Sequence, residues 1–372
     1  MTALRDLIAG NTPLALAAGG LAIGFLFGAV LQATNFCPMG AVSDMMTFGD
    51  KRRFRAWLLA AAAAILGAHA LDALEIVSLD QSMYRTSRLN WAGHLAGGLM
   101  FGFGMVLAGG CASRNLVRAG GGDLRAALTL VVLGLFAYMT TGGVFGPWRA
   151  GLESATAVTL PAGAESLGDL AAYMTGPQIA GAGGAAAGGA GAGDYGIALL
   201  VAGALLATCW MSPDFRRSRV HVLAGLGVGF AVVLGWALTG LAFDELSAAP
   251  QAPVSLSFVK PTGDALEWLE RSTALGSPGF GAASVFGTLL GAFVTAAATG
   301  KLRLATFKDP ADTLRNILGA ALMGVGGVMA LGCTIGQGVT GLSTLAPGSV
   351  LTFVAIVGGA VLGLKALTRL AS

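Results

Sequence analysis

The sequence predicts an all-α polytopic membrane protein with about nine transmembrane helices, arranged as two inverted four-helix halves with re-entrant short helices or loops. Three observations carry that expectation. Of the 372 residues, 55% are hydrophobic and only 11% charged, where soluble domains carry roughly a quarter charged residues. Apolar runs long enough to cross a bilayer, about 18–24 residues, recur along the chain. A ten-residue pattern also returns at the ends of several of these runs.

The runs centre on 14–35, 55–78, 91–110, 125–144, 196–212, 221–242, 282–300, 315–332 and 349–368. The first is too long for a signal-peptide core and no small-residue cleavage pattern clearly follows it, so it reads as a mature span. One alternating set of loops holds 16 of the 22 Lys and Arg residues, among them Lys51, Arg52, Arg53, Arg118 and Arg216. Because basic loops stay cytoplasmic, the amino terminus is expected outside and the carboxyl terminus in the cytoplasm. The net charge of +3 is scattered between apolar runs, which excludes a nucleic-acid-binding stripe. Two outward loops are long. Residues 145–195 hold most of the low-complexity tract "AGAGGAAAGGAGAGDYG" and a short helix at 165–174, and residues 243–281 hold a second at 263–275. Both are expected on the membrane surface or over the outer vestibule, without chemistry of their own.

The repeated pattern reads "GFGMVLAGGC" at 102–111, "GVGFAVVLGW" at 227–236 and "GVGGVMALGC" at 324–333. A weaker copy, "GAVLQATNFC", covers 28–37, so the four copies end at Cys37, Cys111, Trp236 and Cys333. Under the expected topology the first and third spans run inward and the sixth and eighth outward. The chain then forms a single membrane domain over 1–372: a first half at 1–144, an outward loop plus linker helix at 145–220, and a second half at 221–372. Inverted repeats with broken helices are a transporter architecture, with the substrate near the midplane. Gly-x-Gly spacing also serves close helix packing; the terminal Cys or Trp is what sets these copies apart.

Cysteines occur singly at 37, 111, 209 and 333, without C-x-x-C or a histidine at ligand spacing. A disulfide framework, zinc site or iron–sulfur cluster is not expected, and no cofactor is. The segments after Cys37, Cys111 and Cys333 are too short and glycine-rich to span, and irregular backbone at membrane depth must be buried or line a cavity. Each of these cysteines sits where one helix ends and a short one can start. A helix start offers free N–H groups and partial positive charge to an anion, and a neutral thiol adds a soft donor that does not repel it. Cys37, Cys111 and Cys333 are therefore the expected substrate-binding relay, with Gly110, Arg114, Trp236, Gly332 and Gln337 as a second tier. Cys209, beside Trp210, reads as a buried packing residue. His69, His94 and His221 lie near span ends, in capping or interfacial positions. Asp50 in "GDKR" and Asp123 in "GDLR" look like matched helix N-caps.

With "NFCPMGAVSDM" (35–45), "GGCASRNLVRAG" (109–120) and "LGCTIGQGVTGLS" (331–343) in order, the chain resembles the YeeE/YedE family of bacterial inner-membrane proteins. The resemblance implies thiosulfate uptake through an hourglass-shaped protein, the anion passing three cysteines that map onto Cys37, Cys111 and Cys333. It also implies a small cytoplasmic sulfurtransferase of the TusA type as partner. Some longer family members are linked to selenium metabolism, so a selenium- or sulfur-compound permease is an alternative. Two further classes stand beside it: a membrane thiol oxidoreductase, and a non-transporting subunit that docks a sulfurtransferase on its basic face.

Overall fold

Every apolar run becomes a helix. A computed structural model describes residues 8, 10–175, 192–244, 251–307 and 309–371. The long helices are α1 (Thr12–Thr34), α3 (Arg52–Ala73), α4 (Trp91–Leu107), α6 (Leu124–Thr141), α9 (Ala192–Trp210), α11 (Arg219–Leu241), α13 (Phe280–Ala298), α14 (Pro310–Met329) and α15 (Pro347–Ala371). Shorter helices lie between them: α2 (Pro38–Thr47), α5 (Ala112–Gly120), α7 (Gly146–Thr156), α8 (Leu167–Thr175), α10 (Pro213–Arg217) and α12 (Lys260–Leu275). The strands β1 (Arg88–Asn90) and β2 (Ala157–Thr159) pair antiparallel, with Leu89 opposite Val158.

By length and apolar composition, eight of the described helices can cross a membrane. The expected ninth, α14, is 20 residues long and falls short in apolar character. Its first turns carry Asp312 and Arg315, because Asp309 caps it five residues earlier than the apolar run begins: Asp309 Oδ1 accepts the Asp312 N–H at 2.6 Å.

Helix starts follow the capping chemistry of the sequence. Asn90 accepts the Gly93 N–H at 3.1 Å, and Asp123 accepts the Arg125 and Ala126 N–H groups at 3.0 and 3.4 Å. Asp50 departs from the expected match. The cap of α3 is Lys51, and Asp50 lies one residue before it, accepting the Arg52 N–H at 2.9 Å and pairing with the Arg52 guanidinium at 2.7 Å. The Arg52 hydrogen bond holds this carboxyl down to about 2. The two long inter-span segments form the expected helices: α8 packs on α9, and α12 on α6 and α13. Most of the Ala/Gly tract, residues 176–191, lies outside the described residues.

The long helices pair in a regular way. α1 packs on α13 and α11, α3 on α11, α4 on α14 and α15, and α6 on α14. Glycine makes these approaches possible, as expected for helices in lipid. A Cβ on Gly102 would sit 2.1 Å from the Ile356 carbonyl oxygen of α15, and one on Gly104 2.7 Å from the Gly319 oxygen of α14. In the copy on α14, Gly324 stands likewise against Leu133 of α6, and Gly326 against Gly97 of α4. The Gly-x-Gly part of the repeat is thus helix packing. Gly102→Ala is expected to force α4 and α15 apart and cost about 1–3 kcal/mol, the usual penalty of overpacking; thermal unfolding of the detergent-solubilised variant reads it.

Candidate functional site

Two residues before each repeat cysteine the backbone turns left-handed: Asn35 at φ 56°, Gly109 at φ 69° and Leu331 at φ 57°. That turn ends α1, α4 and α14 respectively. In the second and third copies the closing bonds are the same: Gly110 N–H donates to the Met105 carbonyl at 2.8 Å, and Gly332 N–H to the Gly327 carbonyl at 2.7 Å. Both span five residues, a Schellman closure. A fresh helical turn then starts on each cysteine, whose carbonyl accepts the N–H four residues on: Ala41 to Cys37 at 2.9 Å, Asn115 to Cys111 at 2.9 Å, Gln337 to Cys333 at 2.7 Å. After Cys37 and Cys111 the turn continues as α2 and α5. After Cys333 it becomes a π-helix, Gly336–Gly341, a form that concentrates at functional sites.

The fourth copy behaves differently. α11 runs unbroken through Trp236, whose indole donates to Ser343 Oγ at 3.0 Å and meets the Tyr84 ring edge-on with centroids 6.4 Å apart. Trp236 is buried against the segment that Cys333 begins.

Two of the three thiols serve as helix caps. Cys37 Sγ accepts the Gly40 N–H and Cys333 Sγ the Gly336 N–H, each at 3.3 Å, while Cys111 Sγ lies 3.4 Å from Ser113 Oγ. Cys111 and Cys333 are fully buried and Cys37 is partly exposed. Cys111 is an electrostatic neighbour of both Cys37 and Cys333. Cys37 also feels the guanidinium groups of Arg114 and Arg53, and the Tyr84 phenol feels Cys333.

The second-tier residues fall around these turns. Arg114, in the first turn of α5, donates through Nη2 to Asn35 Oδ1, the residue that breaks α1, and its Nη1 is buried without an acceptor among the described residues. Gly110 and Gly332 leave room for their neighbours: a Cβ on the first would touch Arg114 Cγ at 3.1 Å, and on the second Gln337 Cγ at 3.0 Å. Gln337 Nε2 donates back to the Ala330 carbonyl at 2.7 Å, leaving Oε1 buried and unpaired among the described residues. Asn115, which no sequence signal singles out, repeats this arrangement. Its Nδ2 donates to the Gly110 carbonyl at 2.8 Å and its Oδ1 is likewise unpaired among the described residues. Asn115 and Gln337 each stand four residues after a repeat cysteine; that spacing is present in the sequence and acquires meaning only once a helical turn is known to start there.

Cys209 lies apart, its thiol donating to the Arg55 carbonyl at 3.3 Å. His221 sits at a helix start as its position suggests, whereas His94 and His69 are buried between helices instead of interfacial. His221 Nδ1 pairs with Ser218 Oγ at 2.6 Å at the start of α11, His94 Nδ1 with Thr352 Oγ1 at 2.7 Å, and His69 Nδ1 with the Ile65 carbonyl at 3.0 Å. Among the described residues no cluster of three His, Cys, Asp or Glu side chains is placed to hold a metal ion. Thiols, helix-start N–H groups and the guanidinium groups of Arg114 and Arg53 lie at these turns instead, a donor-rich setting suited to an anion with a soft end.

Residues 33–362 match the family described as sulphur transport. The chain belongs to this family. Among curated relatives of this sulphur transport protein, the thiosulfate transporter TsuA of Spirochaeta thermophila is 29% identical over 327 residues, covering 88% of this chain and 92% of the relative. The thiosulfate transporter TsuA of Escherichia coli is 28% identical over 343 residues, covering 86% and 85%. All three cysteine segments fall inside the matched region, and so does the unbroken copy that ends at Trp236.

Proposed function

We propose that this membrane protein imports thiosulfate, handing the anion along Cys333, Cys111 and Cys37 from the outer side of the inner membrane to the cytoplasm. The observation that carries the reading is the backbone order shared by three separated positions, a left-handed break, then a thiol, then a new helical turn. The two relatives named for thiosulfate supply the substrate. A soft terminal sulfur matches the S–H donors, and the oxygens match N–H groups and the Arg114 guanidinium. The order along the path is supported by the partial exposure of Cys37, the burial of the other two, and Cys111 neighbouring both. No bond in the anion is made or broken on this path, so the protein acts as a transporter and not as an enzyme.

Residues 1–144 and 221–372 form the two inverted halves in this reading. Its support is that helix pairings occur in matched sets: α1 with α13 answers α11 with α3, and α4 with α15 answers α14 with α6. The amino terminus faces outward and the carboxyl terminus inward, following the basic loops. A cytoplasmic sulfurtransferase of the TusA type is the proposed acceptor, and the surface lined by Lys51, Arg52, Arg55 and Arg217 offers it a basic landing.

The test is growth on thiosulfate as sole sulfur source in a bacterium stripped of its own uptake systems. The wild-type chain and Cys209→Ala are both expected to restore growth. A correctly inserted wild-type chain that fails to do so removes thiosulfate as the substrate.

A further inference from the structure

Two tryptophans are fully buried, and one of them leaves its N–H unused. Trp236 donates to Ser343, whereas Trp57, 1% exposed, has no acceptor for Nε1 among the described residues. A buried donor without a partner is costly and calls for an explanation, of which an acceptor supplied from outside the chain is one.

The Trp57 ring is firmly placed on α3. Phe353 of α15 meets it edge-on with centroids 4.8 Å apart, and Phe54 with centroids 6.1 Å apart. Its N–H edge lies against the middle of the π-helix that follows Cys333. A Cβ on Gly338 would come within 2.7 Å of Trp57 Cζ2 and 3.1 Å of Nε1, so only glycine fits there. One helical turn earlier, on the same face, Arg53 reaches the Cys37 turn: a Cβ on Gly40 would lie 2.9 Å from Arg53 Nη1 and 3.5 Å from Cys37 Sγ. A single face of α3 therefore brings a guanidinium to the first cysteine segment and an unused N–H to the last.

We infer that the Trp57 indole N–H donates to an oxygen of the anion in transit, which makes Trp57 a specificity position distinct from the thiols. The inference rests on the thiosulfate reading above. Thiols engage the sulfur end of such an anion; its oxygens require harder N–H donors, and Trp57 presents one between the two cysteine segments that α3 contacts.

Trp57→Phe keeps an aromatic ring against Phe54 and Phe353 and deletes the donor. With the purified variant in liposomes, uptake of radiolabelled thiosulfate is measured as initial rate against concentration. The half-saturating concentration is expected to rise about tenfold or more, the usual effect of losing a hydrogen bond to a charged acceptor, with the maximal rate held within about twofold. Trp57→His, which returns a ring N–H, is expected to recover part of that affinity. A merely structural ring would instead reduce the yield of folded protein at unchanged half-saturation. Wild-type half-saturation in Trp57→Phe, or an equal loss in Trp57→Phe and Trp57→His, overturns the inference and leaves thiosulfate import standing. Absence of uptake by the wild-type protein overturns both.

Discussion

Cys111→Ala is expected to lower thiosulfate uptake by about 10- to 100-fold, the worth of one hydrogen bond to a charged partner, while the protein stays folded. Cys111 is fully buried and neighbours both other relay thiols, so an anion moving between them has no second soft donor to use. The substitution removes one sulfur atom from a packed site, and the turn itself is held by backbone bonds at Gly110 and Asn115. Transport and stability should therefore separate: a near-silent initial rate beside an almost unchanged thermal midpoint. Cys111→Ser, with a harder donor at the same place, is expected to fall between the two.

Arg85→Met is expected to act in the opposite manner, on stability. The Arg85 side chain is 1% exposed and pairs with Asp194 at 2.9 Å and with Asp80 at 2.6 Å, while its Nε donates to the Thr344 carbonyl at 3.0 Å. Asp194, 3% exposed, also accepts from Ser166 at 2.5 Å. This cluster ties the segment before β1, the turn before α8 and the first turn of α9 to the end of the segment that Cys333 begins. Removing the guanidinium leaves Asp194 buried without its counter-charge, a loss of about 3–5 kcal/mol. Replacing both members with apolar residues is often neutral, so Arg85→Met with Asp194→Leu should recover much of the loss. Thermal unfolding in detergent reads both variants; a single variant as stable as wild type would show that the cluster holds nothing together.

The helices were legible because bilayer-length apolar runs leave little choice of structure, and all nine lie within five residues of their expected limits. α14 escaped the apolar criterion for a local reason, the charged turns that Asp309 adds to its start. The three cysteines were legible because they recur at one place in a repeated pattern. The glycines of that pattern proved to be packing contacts, and the copy ending at Trp236 kept its helix whole. What the sequence could not reveal depends on contacts between distant segments. Trp57 meets Gly338 across 281 positions, and Tyr84 reaches Cys333 from a loop with no repeat signature. The π-helix was equally hidden: the sequence marks "GQGVTG" only as glycine-rich, irregular backbone that must be buried or line a cavity, and the π form shows only where its six buried residues pack between α3 and α15.

The most direct test of the thiol relay is the initial rate of radiolabelled thiosulfate entry into liposomes carrying the purified wild-type protein, Cys37→Ala, Cys111→Ala, Cys333→Ala or Cys209→Ala. A relay requires that the first three variants each lose most of the rate while Cys209→Ala, whose thiol only caps the Arg55 carbonyl, keeps it. Near wild-type rates in Cys37→Ala, Cys111→Ala and Cys333→Ala would mean that the anion passes without the thiols, and that their shared backbone frame serves packing alone.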